Sequence, residues 1–150
     1  MDVRLYHDSV VMLHFKSTSR SVGALVDTET AVSCCALSLL RRLLPTYKSQ
    51  MLPTDKCFST ADGKSFTPVG MITLHFTIGS LTLDEKFYVF SQLNRSLILG
   101  RTFLHNSHAV LDFDKHVLSI DASYRLHAIE HIPIEPHSSY LIKARITDRH

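Results

Sequence analysis

The segment that decides the fold is ALVDTET, residues 24–30, in which an apolar run meets an aspartate and then hydroxyl and acidic residues. This pattern places Asp27 directly after a strand, at the edge of a core. On its own the segment is equally typical of an Asp or Thr that begins the turn into a helix. A second segment, SLILGRTFL at residues 96–104, has the composition of a buried strand in which Gly100 permits a bend into a short helix.

The sequence around these two segments predicts a chain made mostly of strands. Period-two patterning and turn residues predict three hairpins, over residues 9–26, 72–89 and 109–120. The first of them ends at Asp27. In the second, the apolar row of the partner strand consists of Leu81, Leu83, Phe87 and Val89.

One helix and one projecting hairpin are predicted between these strands. Apolar residues follow helical spacing over residues 31–44, with two arginines in the last turn and Pro45 just beyond, so we expect a helix there. Residues 56–66 centre on Ala61, Asp62 and Gly63, and an Asp-Gly pair is a strong signal for a tight turn between two extended arms.

Length and composition predict one globular domain. The chain has 150 residues, 45% hydrophobic and 20% charged, and no apolar run approaches the roughly 20 residues that cross a bilayer. A net charge of +2 without a basic stripe argues against direct nucleic-acid binding. Three cysteines cannot all pair within the chain, which favours a reducing, cytoplasmic setting. The ten histidines form no recognisable ligand frame, so no metal site is expected.

Taken together, the two segments and the hairpin between them resemble the retropepsin family, especially the proteases of gypsy-like LTR retrotransposons. That family places an Asp-Thr-Gly triplet after an apolar strand, then a flap hairpin, then two apolar residues and a glycine before a short helix. The matching residues are Asp27-Thr28-Glu29, the 56–77 region, and Ile98-Leu99-Gly100. The resemblance covers about residues 9–120.

The resemblance implies an all-β fold, a closed acid-protease barrel with one or two short helices and a flap, that forms half of a two-fold dimer. It implies that Asp27 is the catalytic acid, within an active-site loop that includes Thr28, Glu29 and Thr30. The Thr28 hydroxyl would grip the partner loop across the dimer. Structural support would come from Ile98, Leu99 and Gly100, and the flap tip would be Ala61, Asp62 and Gly63.

The implied activity is hydrolysis of peptide bonds in a polyprotein, by a water held between the two Asp27 side chains of a homodimer. The resemblance implies that this chemistry requires no metal and no cofactor. Residues 1–121 would form the protease domain, and residues 122–150 resemble the connector that precedes reverse transcriptase in such polyproteins. A further strand is predicted within this extension, over residues 140–146. The implied location is cytoplasmic, with virus-like particles as one setting.

Glu29 departs from the family pattern, because the family has glycine there. It therefore supports an alternative, a catalytically impaired retropepsin-fold module that acts in dimerisation or binding. A ubiquitin-pathway protease-like domain of the same fold would also be dimeric and would also use Asp27. A small nucleic-acid-binding β-barrel is a fourth hypothesis, which the lack of aromatic residues along a basic stripe disfavours.

Overall fold

A six-stranded barrel with a small sheet beside it makes up most of the chain. The computed structural model describes residues 1–7, 9–121 and 123. The elements, in chain order, are β1 (Asp2–Arg4), β2 (Val10–Phe15), β3 (Arg20–Val26), β4 (Cys34–Ala36), α1 (Leu37–Leu43), α2 (Tyr47–Gln50), β5 (Phe58–Ser59), β6 (Ser65–Phe66), β7 (Gly70–Ile78), β8 (Leu81–Phe90), β9 (Leu97–Leu99), α3 (Arg101–Asn106), β10 (Val110–Asp112) and β11 (Val117–Ser119).

The barrel closes in the strand order β2-β3-β9-β4-β8-β7. Two of the predicted hairpins are confirmed within it, β2–β3 and β7–β8, and Gly79 turns the second with a φ of 60°. Strands β3 and β9 pair in parallel, with Leu25 opposite Ile98 and Val26 opposite Leu99. This pairing brings the 24–30 segment against the 96–104 segment.

A three-stranded sheet of order β1-β11-β10 lies outside the barrel. Its β10–β11 hairpin confirms the third predicted hairpin. Strand β1 has no strong signal in the sequence, and it pairs antiparallel with β11, with Val3 opposite Leu118. The first and last strands of the described chain are therefore neighbours.

Two apolar clusters pack on opposite faces of the barrel strands. The main core fills the barrel and contains the aromatic rings of Phe15, Phe76 and Phe87, with centroids 6.0 and 6.3 Å apart in successive pairs. The second cluster, here called the outer cluster, consists of Leu25, Ala31, Val32, Cys34, Phe58, Tyr88, Phe90 and Ile98. Because successive strand residues point to opposite faces, neighbours such as Leu25 and Val26 belong to different clusters.

The predicted helix over residues 31–44 is wrong at its start. The helix begins at Leu37, and residues 34–36 form β4, which pairs in parallel with β8 and antiparallel with β9. All three β4 residues are buried, so this strand lacks the polar alternation that would distinguish it from a helix. The end is as expected, with Arg41 and Arg42 in the last turn. Helix α2 was not predicted from the sequence.

The predicted hairpin around Gly63 is present as β5–β6. Gly63 has a φ of 88°, and the Thr60 N–H donates to the Lys64 carbonyl at 2.9 Å. Hydrogen bonds from the Thr60 hydroxyl and then the Lys64 N–H lower the pKa of Asp62. Only the tip projects, because Phe58 at the base is fully buried in the outer cluster.

The predicted extension of residues 122–150, with its predicted strand at 140–146, lies outside the described residues apart from Ser123. The longest described helix, α1, has seven residues, and no helix in the described ranges is long and apolar enough to cross a membrane.

Candidate active site

Asp27 follows the last residue of β3 and is held to β9 by its backbone. Its N–H donates to the Leu99 carbonyl at 3.0 Å, which extends the parallel ladder by one bond. The residue is 9% exposed. The sequence produces this position because Leu25 and Val26 are buried between other strands, so the first polar residue after them lies where the strand leaves the barrel.

The two carboxylate oxygens of Asp27 accept hydrogen bonds from its own loop. Oδ1 accepts from the Glu29 N–H at 2.9 Å, and Oδ2 accepts from the Thr30 Oγ1 hydroxyl at 2.9 Å. Thr30 is fully buried. Hydrogen bonds to both oxygens fix the orientation of the carboxylate. Thr30, predicted only as a loop residue, is therefore a direct partner of Asp27.

Thr28 and Glu29 lie exposed on the loop beside Asp27. The non-glycine residues with positive φ in the described chain are His7, Ser19, His108 and His116, so Glu29 does not adopt the conformation that requires glycine. A single chain therefore accommodates Glu29 at the family's glycine position without backbone strain.

Gly100 lies directly beneath the Asp27 loop. A Cβ added to Gly100 would lie 2.3 Å from the Val32 carbonyl oxygen and 2.8 Å from the Thr30 oxygen, so only glycine fits. Just beyond it, the Arg101 N–H donates to the Thr30 carbonyl at 2.8 Å and the Thr102 N–H donates to the Ala31 carbonyl at 3.1 Å. The start of α3 is thereby joined to the loop.

Cys34 shows on which side of the barrel the Asp27 carboxylate lies. Burial raises the pKa of the Cys34 thiol well above its ordinary value, and the charges of Cys35 and Asp27 add to this effect. Cys34 belongs to the outer cluster together with Leu25, and strand alternation puts Asp27 on the same side as Leu25. The raised pKa keeps the thiol neutral at physiological pH, and the buried Cys34 side chain packs within the outer cluster.

The β5–β6 hairpin covers this same side. Phe58 packs edge-on against Tyr88 and Phe90, with ring centroids 5.1 and 6.0 Å apart. Ala61, Asp62 and Gly63 are exposed at the hairpin tip. The outer cluster thus includes residues of both the hairpin base and the strands that carry the loop.

Ser33 and Glu85 were missed as site residues. The Ser33 Oγ donates to Glu85 Oε2 at 2.7 Å and accepts from the Gly100 N–H at 3.2 Å, and both side chains are buried. A signal was present in the sequence, because the apolar row Leu81, Leu83, Phe87 and Val89 has Glu85 at its middle inward position. A glutamate inside an apolar row is unusual enough to mark a special contact.

No protein-family model and no curated protein matches this sequence. Solved structures do match the fold. The retroviral protease-like domain of Ddi1 from Leishmania major superposes with a TM-score of 0.59 at 17% identity, over 76% of this chain and 85% of that one. A retropepsin-like aspartic protease from Rickettsia conorii gives a TM-score of 0.51 at 16% identity, over 79% of this chain and 86% of that one. The chain therefore has a retropepsin-like fold.

Proposed function

We propose that the chain is an aspartic endopeptidase of the retropepsin type, whose active site forms between the Asp27 carboxylates of two identical chains. The observation that carries the proposal is the double hydrogen bonding of Asp27, from the Glu29 N–H and the Thr30 hydroxyl, at the edge of a barrel of retropepsin-like fold. A carboxylate oriented in this way has the fixed geometry that acid–base chemistry needs.

Two such carboxylates must approach to about 3 Å so that they share one proton, because like charges at that distance cannot both ionise cheaply. The ionised member removes a proton from water, and the water attacks the peptide carbonyl. The protonated member donates a hydrogen bond to the carbonyl oxygen. The pair titrates as a unit.

The second carboxylate has to come from a second copy, since the chain carries one Asp-Thr triplet followed by an active-site loop. A two-fold axis beside Asp27 would supply it. Thr28 is exposed next to Asp27, which leaves its hydroxyl available to the partner loop. The hairpin tip at Ala61, Asp62 and Gly63 would close over an extended peptide.

The retroelement setting belongs to the same proposal and rests on the resemblance of the sequence to gypsy-like proteases. In that setting the substrate is a polyprotein, the location is cytoplasmic, and residues 122–150 connect the protease domain to the next domain of the polyprotein. Residues 1–121 then form the protease domain.

Glu29 supports a second candidate function, an impaired retropepsin-fold module that binds or dimerises without cleaving. Two copies would bring two Glu29 side chains to the shared site in addition to two Asp27. Each added negative charge raises the proton affinity of the dyad, that is, of the pair of Asp27 carboxyl groups. Each Glu29 side chain would also narrow the space through which the substrate passes.

A cleavage assay separates these two functions. Purified protein is incubated with a mixed peptide library over a range of pH values, and products are identified by mass spectrometry. If the chain is an enzyme, the wild-type protein cleaves peptides of the library. The Asp27→Asn variant should then fold as the wild type does but cleave no peptide. Asp84→Asn, on the exposed outer face of β8, is the matched control and retains activity. Absence of cleavage by the folded, dimeric wild-type chain at every pH would overturn the proposed activity.

Mixing the wild-type and Asp27→Asn chains tests whether the site is shared. If each site needs two Asp27, activity follows the square of the wild-type fraction, and an equimolar, fully exchanged mixture keeps about a quarter of the activity of the undiluted wild type. Activity that falls in simple proportion to the wild-type fraction would show that each chain works alone.

A further inference from the structure

Glu85 is a buried carboxylate that the proposed chemistry does not use. It lies on the inward face of β8 between Leu83 and Phe87, both of which belong to the main core, and is 5% exposed. Burying a carboxylate among apolar side chains is costly unless hydrogen bonds compensate it. A leucine there would complete the apolar row, so the glutamate calls for a specific explanation.

The contact with Ser33 supplies that explanation. Ser33 is fully buried, and its hydroxyl has one proton, which it donates to Glu85 Oε2 at 2.7 Å. Because the hydroxyl proton points toward Glu85, a lone pair of Ser33 Oγ points toward the Gly100 N–H. That N–H donates to Ser33 Oγ at 3.2 Å. Glu85 therefore fixes the direction in which the Ser33 hydroxyl can accept.

The Leu99–Gly100 peptide group connects this pair to Asp27. Its carbonyl oxygen accepts from the Asp27 N–H at 3.0 Å, and its N–H donates to Ser33 Oγ at 3.2 Å. A peptide group is planar and turns as one unit. If the Gly100 N–H moves relative to Ser33, the whole peptide plane tilts. The Leu99 carbonyl oxygen, which accepts from the Asp27 N–H, then moves as well.

We propose that Glu85 is a positioning residue for Asp27, acting through Ser33 and the Leu99–Gly100 peptide group. This inference rests on the proposed peptidase function. Without the carboxylate, the Ser33 hydroxyl rotates, the peptide plane loses its fixed acceptor, and the Asp27 backbone shifts relative to its twin. Displacements of about 1 Å at reacting groups cost about a hundredfold in rate.

The test compares Glu85→Met with Glu85→Gln. Methionine fills the space without an acceptor oxygen, whereas glutamine keeps one. We expect Glu85→Met to lower kcat about 10- to 100-fold with KM within about twofold, and Glu85→Gln to restore most of kcat. Leu83→Met, on the same face of β8, is the matched repacking control and leaves kcat unchanged.

A readout independent of catalysis accompanies the kinetics, namely hydrogen exchange of the Gly100 and Asp27 amides measured by NMR. Both amides should exchange faster in Glu85→Met than in the wild type or Glu85→Gln, also in a chain that cleaves nothing. Failure of the peptidase function is therefore distinguishable from failure of this inference.

Ser33→Ala removes the same connection from the other side, which keeps the test available if Glu85→Met does not fold. It should reproduce the loss of kcat and the faster exchange, and the double variant should be no worse than either single variant, because both act on one path. Unchanged kcat and unchanged Gly100 exchange in a folded Glu85→Met or Ser33→Ala protein would overturn the proposal. A purely packing role for Glu85 predicts that outcome.

Discussion

Gly100 packs against the backbone of Val32 so closely that a Cβ on Gly100 would lie 2.5 Å from the Val32 carbonyl carbon. Backbone atoms cannot move aside as the end of a flexible side chain can. The contact therefore fixes the separation between the Asp27 loop and the segment that enters α3.

Gly100→Ala is accordingly expected to destabilise the fold by more than about 2 kcal/mol, since an added methyl group must displace the loop backbone. Urea unfolding followed by far-ultraviolet circular dichroism measures this, because the chain has no tryptophan. Gly23→Ala is the control. Its added Cβ would lie 3.0 Å from the Val10 Cγ1 atom, which belongs to a side chain, and should cost within about 1 kcal/mol. Equal stability losses in the two variants would contradict the prediction.

Thr28→Val tests the proposed contact of the Thr28 hydroxyl with the partner loop. Valine keeps the shape but removes the hydroxyl from both chains, and two lost hydrogen bonds of about 1 kcal/mol each weaken the dimer about 10- to 100-fold. Sedimentation velocity over a concentration series gives the dimer Kd. Thr28→Ser retains the hydroxyl and should dimerise nearly as well as the wild type. A Thr28→Val protein with wild-type Kd would rule out this role of the hydroxyl.

Glu29→Gly is expected to increase peptide cleavage, because it would remove two exposed carboxylates from the proposed site between two chains. Fewer negative charges lower the proton affinity of the dyad, so the pH–rate profile should also move to lower pH. Glycine at this position increases the conformational entropy of the unfolded chain, which lowers the free energy of unfolding by about 0.5–1 kcal/mol. Cleavage kinetics across pH provide the measurement, with Glu29→Gln separating charge from bulk. No gain in a folded, dimeric sample would show that Glu29 is not the obstacle.

The buried thiols predict a loss of stability in alkali. Burial raises the pKa of Cys35 from its ordinary value of 9.0 to about 12. Between these values the unfolded chain releases the Cys35 proton while the folded chain keeps it, so rising pH favours unfolding, by up to about 1.4 kcal/mol per pH unit for each such group. Below pH 9.0 the Cys35 thiol is protonated in both the folded and the unfolded chain, so the free energy of unfolding keeps its full value there. Urea titrations across this range measure the slope.

Cys35→Ala is the matched variant for this slope. It removes one titrating group, so its free energy of unfolding should fall less steeply with pH than that of the wild type, whatever its stability at neutral pH. Identical slopes for the two proteins would refute the linkage.

The sequence was sufficient to predict the three hairpins, because each has polar alternation or a turn residue such as Gly79. The predicted helix was wrong over residues 34–36, because β4 pairs with strands on both sides and its residues are all buried. Periodicity cannot distinguish such a segment from the start of a helix. Tertiary pairing, which the local sequence does not encode, decides its structure.

For the site, the sequence indicated Asp27 and Gly100 through their motifs, but it did not reveal how the carboxylate is held. The Thr30 hydroxyl bond to Oδ2 depends on the loop geometry, and the Ser33–Glu85 contact joins residues 52 positions apart. A glutamate in an apolar row indicates that something is unusual, but only the fold shows its partner. The predicted roles of Thr28 and the flap tip remain predictions.

The parallel pairing of β3 with β9 also bears on when the loop can form during synthesis. Gly100 and Ser33, which contact each other across this junction, are 67 residues apart in the chain. Contacts of such long range form late, because the entropy of closing the intervening loop has to be overcome first. Until residues 99 and 100 have been synthesised and have left the ribosome, Asp27 therefore lacks the Leu99 carbonyl that anchors its backbone, and its loop reaches its final position only when the barrel closes.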